Sequence, residues 1–355
     1  MSKVPISVCI IAKNEEKYIE ECLRRLQPYG MEIIVADTGS TDRTKEIALK
    51  YADKVVEFEW IDDFSAARNF CVSEASNDWI LTLDCDEHVS KMNVQGILQL
   101  MQRYPKGTGI IQLHNLVYDE EGKLQYGTDQ VVRFYHRGFF GYESPIHEQL
   151  VTKSSVVKGQ TQTFLLPVEV IHHGYALTPE EMEKKQNRNL ELLRKSVNKG
   201  GNDLYLYFQI GQSEFILKHN EEAIEAYEKA LTFQPSMESA YEELLVASLA
   251  MAYVRDNRIK AALKLMEQYE DRCQSARYVY THACILRDDG QILQALMRYV
   301  KASTLHDFDS LGVNKLYCYE AILEVYREFG EEDKATAFQA QYKKCKEELE
   351  GVINS

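Results

Sequence analysis

Apolar and polar positions follow one rhythm in the first half of the chain and another in the second. Between residues 7 and 86, short apolar runs alternate with segments whose apolar residues recur at helical spacing. Ser7-Val8-Cys9-Ile10-Ile11-Ala12 reads as a buried strand, Glu15 to Leu26 as a helix, and Glu32-Ile33-Ile34-Val35-Ala36 as a second strand. Asp42 to Tyr51 resumes helical spacing, Val55 to Phe58 is strand-like, and Phe64 to Ala75 is helical again. Trp79-Ile80-Leu81-Thr82-Leu83 is then a buried strand that stops abruptly in Asp84-Cys85-Asp86-Glu87. This order predicts an α/β domain, a mostly parallel sheet with helices on both faces.

Past Asp86 the pattern loosens. Asn93 to Tyr104 is helical, Gly109 to Val117 and Val131 to Tyr135 are strand-like, and Glu120-Glu121-Gly122-Lys123 reads as a hairpin turn between them. An aromatic, glycine-rich run, Gly138-Phe139-Phe140-Gly141-Tyr142, and the compact element Val170-Ile171-His172-His173-Gly174-Tyr175 close this region. Thr178-Pro179-Glu180-Glu181 starts a helix by a capping box and a proline at the first helical position. From there the spacing is helical throughout. Tyr207, Ile210, Gly211, Ala223, Tyr227, Ala230 and Pro235 fall on the 34-residue tetratricopeptide pattern, with Glu214 where a tyrosine is usual. Degenerate copies follow at Ala250 and Ala262, at Ala283, Ala295, Tyr299 and Ala302, and at Tyr326 and Ala335. An unrelated helical bundle is the plainer alternative. The expected division is a first domain over 1–177 and an all-α, tetratricopeptide-like repeat domain over 178–355.

Composition narrows the function classes. A chain of 355 residues can bury about two cores. The net charge of −14 argues against a nucleic-acid binder, which needs a basic face. With no apolar run of 18 residues and no apolar stretch near Met1, a cytoplasmic protein without a membrane span is expected. The eight cysteines include no C-x-x-C pair and read as buried, reduced thiols.

The chemistry lies in the polar clusters at predicted strand ends and loops. Asp84 and Asp86 suit a hard cation such as Mg²⁺ or Mn²⁺, which takes oxygen ligands and keeps positions open for phosphate. Ala12-Lys13-Asn14-Glu15, Asp37-Thr38-Gly39-Ser40 and Asp84-Cys85-Asp86 would share one edge of a parallel sheet, where such sheets hold ligands. Arg68-Asn69 lies on the helix between them. Singly, each cluster has a plain explanation as a cap, a turn or a solvated helix residue.

Together, in this order, these segments resemble the family 2 glycosyltransferases with the A-type nucleotide-sugar fold, over residues 5 to 175. The subgroup with a tetratricopeptide tail is similar throughout, including Ile146-His147-Glu148-Gln149-Leu150. Some of its members are peptide S- or O-glycosyltransferases that modify bacteriocin precursors. The resemblance implies that Ala12, Asn14 and Glu15 line a nucleotide pocket, that Asp37 accepts a hydrogen bond from a uracil, and that Gly39 lets the backbone approach the base. Arg68 would face the base or the diphosphate, Asp84 the ribose and metal, and Asp86 would bind the metal, with His172 rather than His173 as a further ligand. Glu148 is the expected general base, with Glu87 and Glu143 as weaker candidates. Arg133 would neutralise diphosphate charge or sit in a salt bridge.

The resulting expectation is a metal-dependent, inverting hexosyltransferase using Mn²⁺ or Mg²⁺ and a uridine diphosphate sugar. A peptide or protein acceptor is preferred over a cell-surface glycan or lipid-linked saccharide, because helical repeats present concave binding surfaces. A homodimer through the repeats and a non-catalytic scaffold on a degenerate transferase fold are the alternatives for the tail and the whole. A nucleotidyltransferase would want a glycine-rich phosphate loop after the first strand, which Lys13-Asn14-Glu15-Glu16 does not offer.

Overall fold

The computed structural model describes residues 4–118, 124–153, 161–174, 177–237 and 239–353. The turn expected at 120–123 and Tyr175 lie outside the described residues. Two compact units divide between Leu177 and Thr178, apart from the four residues Leu124–Gly127.

In the first unit, strands β1 (Ile6–Ala12), β2 (Glu32–Asp37), β3 (Lys54–Glu57) and β4 (Trp79–Asp84) alternate with helices α1 (Ile19–Leu26), α2 (Thr44–Tyr51) and α3 (Phe64–Ser73). The apolar runs form these strands because both of their faces are covered, so each strand is apolar almost continuously. Val8 and Ile10 of β1 pack with Leu81 and Leu83 of β4 in one core, together with Ile19 and Leu23 of α1. Cys9 packs on the opposite side with Ile34, Ile80 and Cys71 of α3. Helix α1 starts later than its apolar spacing suggests, at Ile19, after a turn in which the backbone N–H groups of Glu15 and Glu16 donate to Thr44 and Asp42.

The later part of the unit adds β5 (Glu87–Met92), α4 (Val94–Arg103), β6 (Thr108–Tyr118), β7 (Leu124–His136), β8 (Phe140–Glu143), β9 (Gln149–Thr152) and β10 (Thr163–His172). Among the described residues the main sheet runs β3-β2-β1-β4-β7-β6-β10-β5, and β8 pairs with β9 apart from it. Strands β1 to β4 are mutually parallel, whereas β7 is antiparallel to β4 and β5 antiparallel to β10. The sheet is therefore more mixed than the alternation predicted. Strand β5, which had no sequence expectation, has a strong geometric effect. Four strand spacings separate β4 from β5 in that order, about 19 Å in a flat sheet, yet only the turn Asp84-Cys85-Asp86-Glu87 joins them, a reach of about 11 Å. The sheet must curl until its far edge returns to the end of β4.

The second unit is all-α, as expected. Helix α5 (Pro179–Asn198) begins with the capping box in which Thr178 and Glu181 exchange hydrogen bonds. The helical pairs α6 (Leu204–Ile216) with α7 (Asn220–Leu231), α8 (Ala240–Arg255) with α9 (Ile259–Tyr269), α10 (Ala276–Asp288) with α11 (Ile292–Ser303), and α12 (Asn314–Glu328) with α13 (Glu332–Ile353) then follow. Ala223, Ala250, Ala262, Ala283, Ala295 and Ala335 are buried where the helices meet. A Cβ on Gly211 would stand 2.4 Å from the ring of Tyr227, so only glycine lets α6 approach that fully buried side chain. Glu214, the departure from the repeat pattern, is buried, ion-paired to Arg194 of α5 and hydrogen-bonded to Nδ1 of His219 ahead of α7. All eight cysteines are free thiols. Among the described residues no helix is long and apolar enough to cross a membrane.

His282 of α10 is 2% exposed, and its Nδ1 has no hydrogen-bond partner among the described residues. Burial, helped by Arg298 and opposed by Glu270, pulls its pKa down to about 4. The unfolded chain takes up this proton near pH 6.5, the folded chain only near 4. The stability associated with His282 is therefore complete above pH 6.5 and is lost as pH falls towards 4, by about 2 kcal/mol at pH 5. Urea unfolding at pH 7 and pH 5 should show wild type losing about 2 kcal/mol more than His282→Leu; equal losses would refute this account.

Candidate active site

Parallel register brings the strand ends together. Ala12 is the partner of Asp37 across β1 and β2, and Ile11 is the partner of Asp84 across β1 and β4. The loops after β1 and β2 are laced to each other. Asn14, at φ 57°, accepts from the Thr41 amide at 2.8 Å and donates its own amide to Ser40, and the Glu15 amide donates to Thr44. Ala12 is buried, and its carbonyl accepts from the Thr38 amide. The Asp37 carboxylate accepts from the amides of Gly39 and Ser40, and Gly39 supplies the φ of 98° that this turn requires. The expected nucleotide-binding residues thus form one continuous rim.

Side-chain parity along β4 directs the acids. Ile80, Thr82 and Asp84 face α3, and Leu81, Leu83 and Cys85 face the other core. Asp84 accordingly meets Arg68 of α3 at 2.7 Å through Oδ1 and Arg133 of β7 at 2.8 Å through Oδ2. Burial would raise its carboxyl, but the two guanidinium groups prevail and hold it well below the usual carboxylate range. Arg133 also donates to Glu87, which is 1% exposed and whose Oε2 closes the turn by accepting from the Asp84 amide. Burial pushes the Glu87 carboxyl up against the pull of Arg133. Glu148, between β8 and β9, accepts from Nε of Arg68. Glu143 is exposed on β8, beside a separate cavity of about 320 Å³.

Asp86 is oriented differently. Its Oδ2 lies 3.4 Å from Nε2 of His172, at the end of β10. His172 arrives there because it pairs across the sheet with Glu87. Its Nδ1 is 2.6 Å from Oδ1 of Asn115 on β6, and Nδ2 of Asn115 donates to Asp129 of β7. A carboxylate only accepts, so the Asn115 amide nitrogen must face Asp129 and its oxygen must face His172. Nδ1 then carries the hydrogen, and Nε2 points at Asp86. Burial tends to lower the His172 pKa, but the hydrogen bond and charge of Asp86 outweigh it and raise the value. His173 turns away, stacks on Tyr18 at 5.7 Å, and ties the turn through its amide to the Asp86 carbonyl.

A metal ion fits the Asp86 and His172 pair. A Cβ on Gly174 would lie 2.4 Å from both Asp86 Oδ2 and His172 Nε2, so glycine keeps that space clear. Among the described residues no group of three or more His, Cys, Asp or Glu is set to hold an ion. Mg²⁺ and Mn²⁺ suit such a sparse set, because they complete their shells with water and phosphate oxygens. Both oxygens of Asp84 are engaged by arginines. Sequence reading missed Asn115 and Asp129; the only sign was the polar pair His114-Asn115 interrupting an apolar strand.

Residues 7–150 match the family model described as Glycosyl transferase family 2. The chain is similar to the SPbeta prophage-derived glycosyltransferase SunS of Bacillus subtilis, 26% identical over 323 residues, which cover 88% of this chain and 75% of that protein. It is also 27% identical over 275 residues to a TPR repeat-containing protein of Synechococcus elongatus, covering 76% of this chain but 65% of that protein, less than two thirds of its length. A lipopolysaccharide core biosynthesis glycosyltransferase, LpsC of Rhizobium meliloti, is 24% identical over 195 residues, covering 52% of this chain and 69% of that protein. The acidic strand ends after β2 and β4 and Glu148 lie inside the segment that matches glycosyl transferase family 2, whereas β10 with His172 lies beyond it.

Proposed function

We propose that this chain is a metal-dependent, inverting glycosyltransferase that moves a sugar from a uridine diphosphate sugar to a peptide or protein side chain. The observation that carries the reading is the single rim formed by Asp37, the Asp84–Glu87 turn and His172, with Glu148 held beside it through Arg68. Asp37 and the loop amides around Gly39 offer a base-recognition edge, and the Asp86 and His172 pair a place for the diphosphate end. Bound there, Mg²⁺ or Mn²⁺ would stabilise the charge that develops on the departing diphosphate. Glu148 accepts the proton of the attacking hydroxyl or thiol as the new bond forms at the anomeric carbon. The bond to the nucleoside diphosphate oxygen breaks with its electron pair leaving on the diphosphate, and attack opposite that group inverts the configuration.

A polypeptide acceptor is supported by the helical repeats, which suit extended partners. A saccharide acceptor is the second reading, favoured by the likeness to LpsC.

Incubation with a panel of nucleotide-sugars and Mn²⁺ should release uridine diphosphate, and Asp86→Ala should slow release by roughly 100-fold or more. Folded protein that releases no nucleoside diphosphate from any donor would overturn the enzymatic reading. Gly174→Ala tests the metal pair without relying on turnover. Its methyl group should displace Asp86 and His172 and weaken Mn²⁺ binding, read by electron paramagnetic resonance in the presence of uridine diphosphate, by about tenfold to 100-fold. Unchanged Mn²⁺ affinity would place the ion elsewhere.

A further inference from the structure

Glu148 sits on a short segment outside the strands it joins. Between β8 and β9 the chain passes through Ser144 at φ 78° and His147 at φ 51°, two non-glycine residues in the left-handed region. Such a segment keeps its shape only if its surroundings impose it. Helix α3 supplies the restraints: the Phe64 amide donates to the Pro145 carbonyl at 2.8 Å, Asn69 makes a reciprocal pair with the backbone of Tyr142, and Arg68 holds the Glu148 carboxylate.

Arg68 does not end at Glu148. Its other arm grips Asp84, whose second oxygen is gripped by Arg133, which in turn is gripped by Glu87. The result is an unbroken row, Glu148, Arg68, Asp84, Arg133, Glu87, in which the sign of charge alternates at every step. Its members come from the β8–β9 segment, α3, β4, β7 and β5. The row starts at a side chain 14% exposed and ends at one 1% exposed, and Arg68 itself is 6% exposed. Because each arginine is a rigid planar fork, the row transmits position as well as charge. Removing either arginine leaves the acid at its end of the row, Glu148 or Glu87, without its counterion.

The remaining nitrogen of Arg68, Nη1, is enclosed by protein and has no hydrogen-bond partner among the described residues. In this arrangement the guanidinium is directed to the two carboxylates and not to open space. We propose that Arg68 is a positioning residue, and that Glu148, Arg68, Asp84, Arg133 and Glu87 form one strut through which buried Glu87 sets where Glu148 stands relative to the Asp84–Asp86 turn. Under the transferase reading, on which its catalytic meaning rests, the strut fixes the acceptor-side base against the donor-side acids. A nucleophile and a leaving group are thereby referred to one frame, which matters because a misplacement of about 1 Å costs roughly 100-fold in rate.

The test has one arm independent of turnover. Hydrogen exchange in the full chain should speed up by about tenfold for the 144–152 amides in Arg68→Gln and also in Glu87→Gln, although Glu87 stands on β5, four ion pairs along the row from Glu148. Arg68→Lys, which keeps the charge but not the fork, should restore only part of the protection. Unchanged exchange at 144–152 in Glu87→Gln, with the Asp84 turn still protected, would overturn the strut. In the kinetic arm, Arg68→Gln should lower kcat for transfer by roughly tenfold to 100-fold while donor KM stays within about threefold. A large rise in donor KM with kcat unchanged would instead make Arg68 a donor contact. If wild type releases no nucleoside diphosphate, the transferase reading fails, and the exchange arm still decides the strut.

Discussion

The step from β4 to β5 is the constraint on which the rest of the α/β unit depends. Asp84 ends one strand near the middle of the sheet and Glu87 begins the strand at its far edge, with two residues between them. Such a short connection closes only if β7, β6 and β10 curl round and return the edge to the centre. The curl sets His172 opposite Glu87 and beside Asp86, and it encloses Glu87 so completely that its charge must be answered by Arg133. The acids at the turn are therefore both the product of the closure and its functional yield.

Electrostatics then separates the two aspartates that the sequence presents as equivalents. Parity along β4 aims Asp84 at α3, where two arginines occupy both of its oxygens, while Asp86, beyond the strand, reaches His172. Burial would make either carboxylate costly if it stood alone. Asp84 is offset by fixed protein cations, whereas Asp86 has a histidine and a cleared space beside it. The two carboxylates thus differ in their partners by the direction in which the chain points them.

Much of this could be read from the sequence. The runs Val8–Ala12, Ile33–Asp37 and Trp79–Asp84 announce parallel strands because they are apolar on both faces, and their shared polar ends follow from parallel order alone. The capping box at Thr178 and the small-residue spacing from Gly211 onward are local signals and needed no tertiary knowledge. Strand β5 was not legible, because Glu87-His88-Val89-Ser90-Lys91-Met92 carries too few apolar residues to resemble a buried strand; pairing with β10 makes it one. Nor were Arg133 with Glu87, or Asn115 with Asp129, since these pairs join residues that only the folded sheet brings together. Glu214 stood out as a break in the repeat, and its reason includes Arg194 on α5, a partner outside the repeat itself.

The small row Asp129, Asn115, His172 has a consequence for how this site can vary. Three side chains on three adjacent strands fix a hydrogen on Nδ1 of His172, and the instruction originates at the residue furthest from it. An asparagine in place of Asp129 would match it in size, yet it could donate as well as accept, so the amide of Asn115 would be free to turn over. The hydrogen on Nδ1 would then no longer be fixed. Asp129, half a site away and on the surface, thus acts as the reference that gives the histidine its polarity, and drift at that position would change the chemistry of the site without altering its shape.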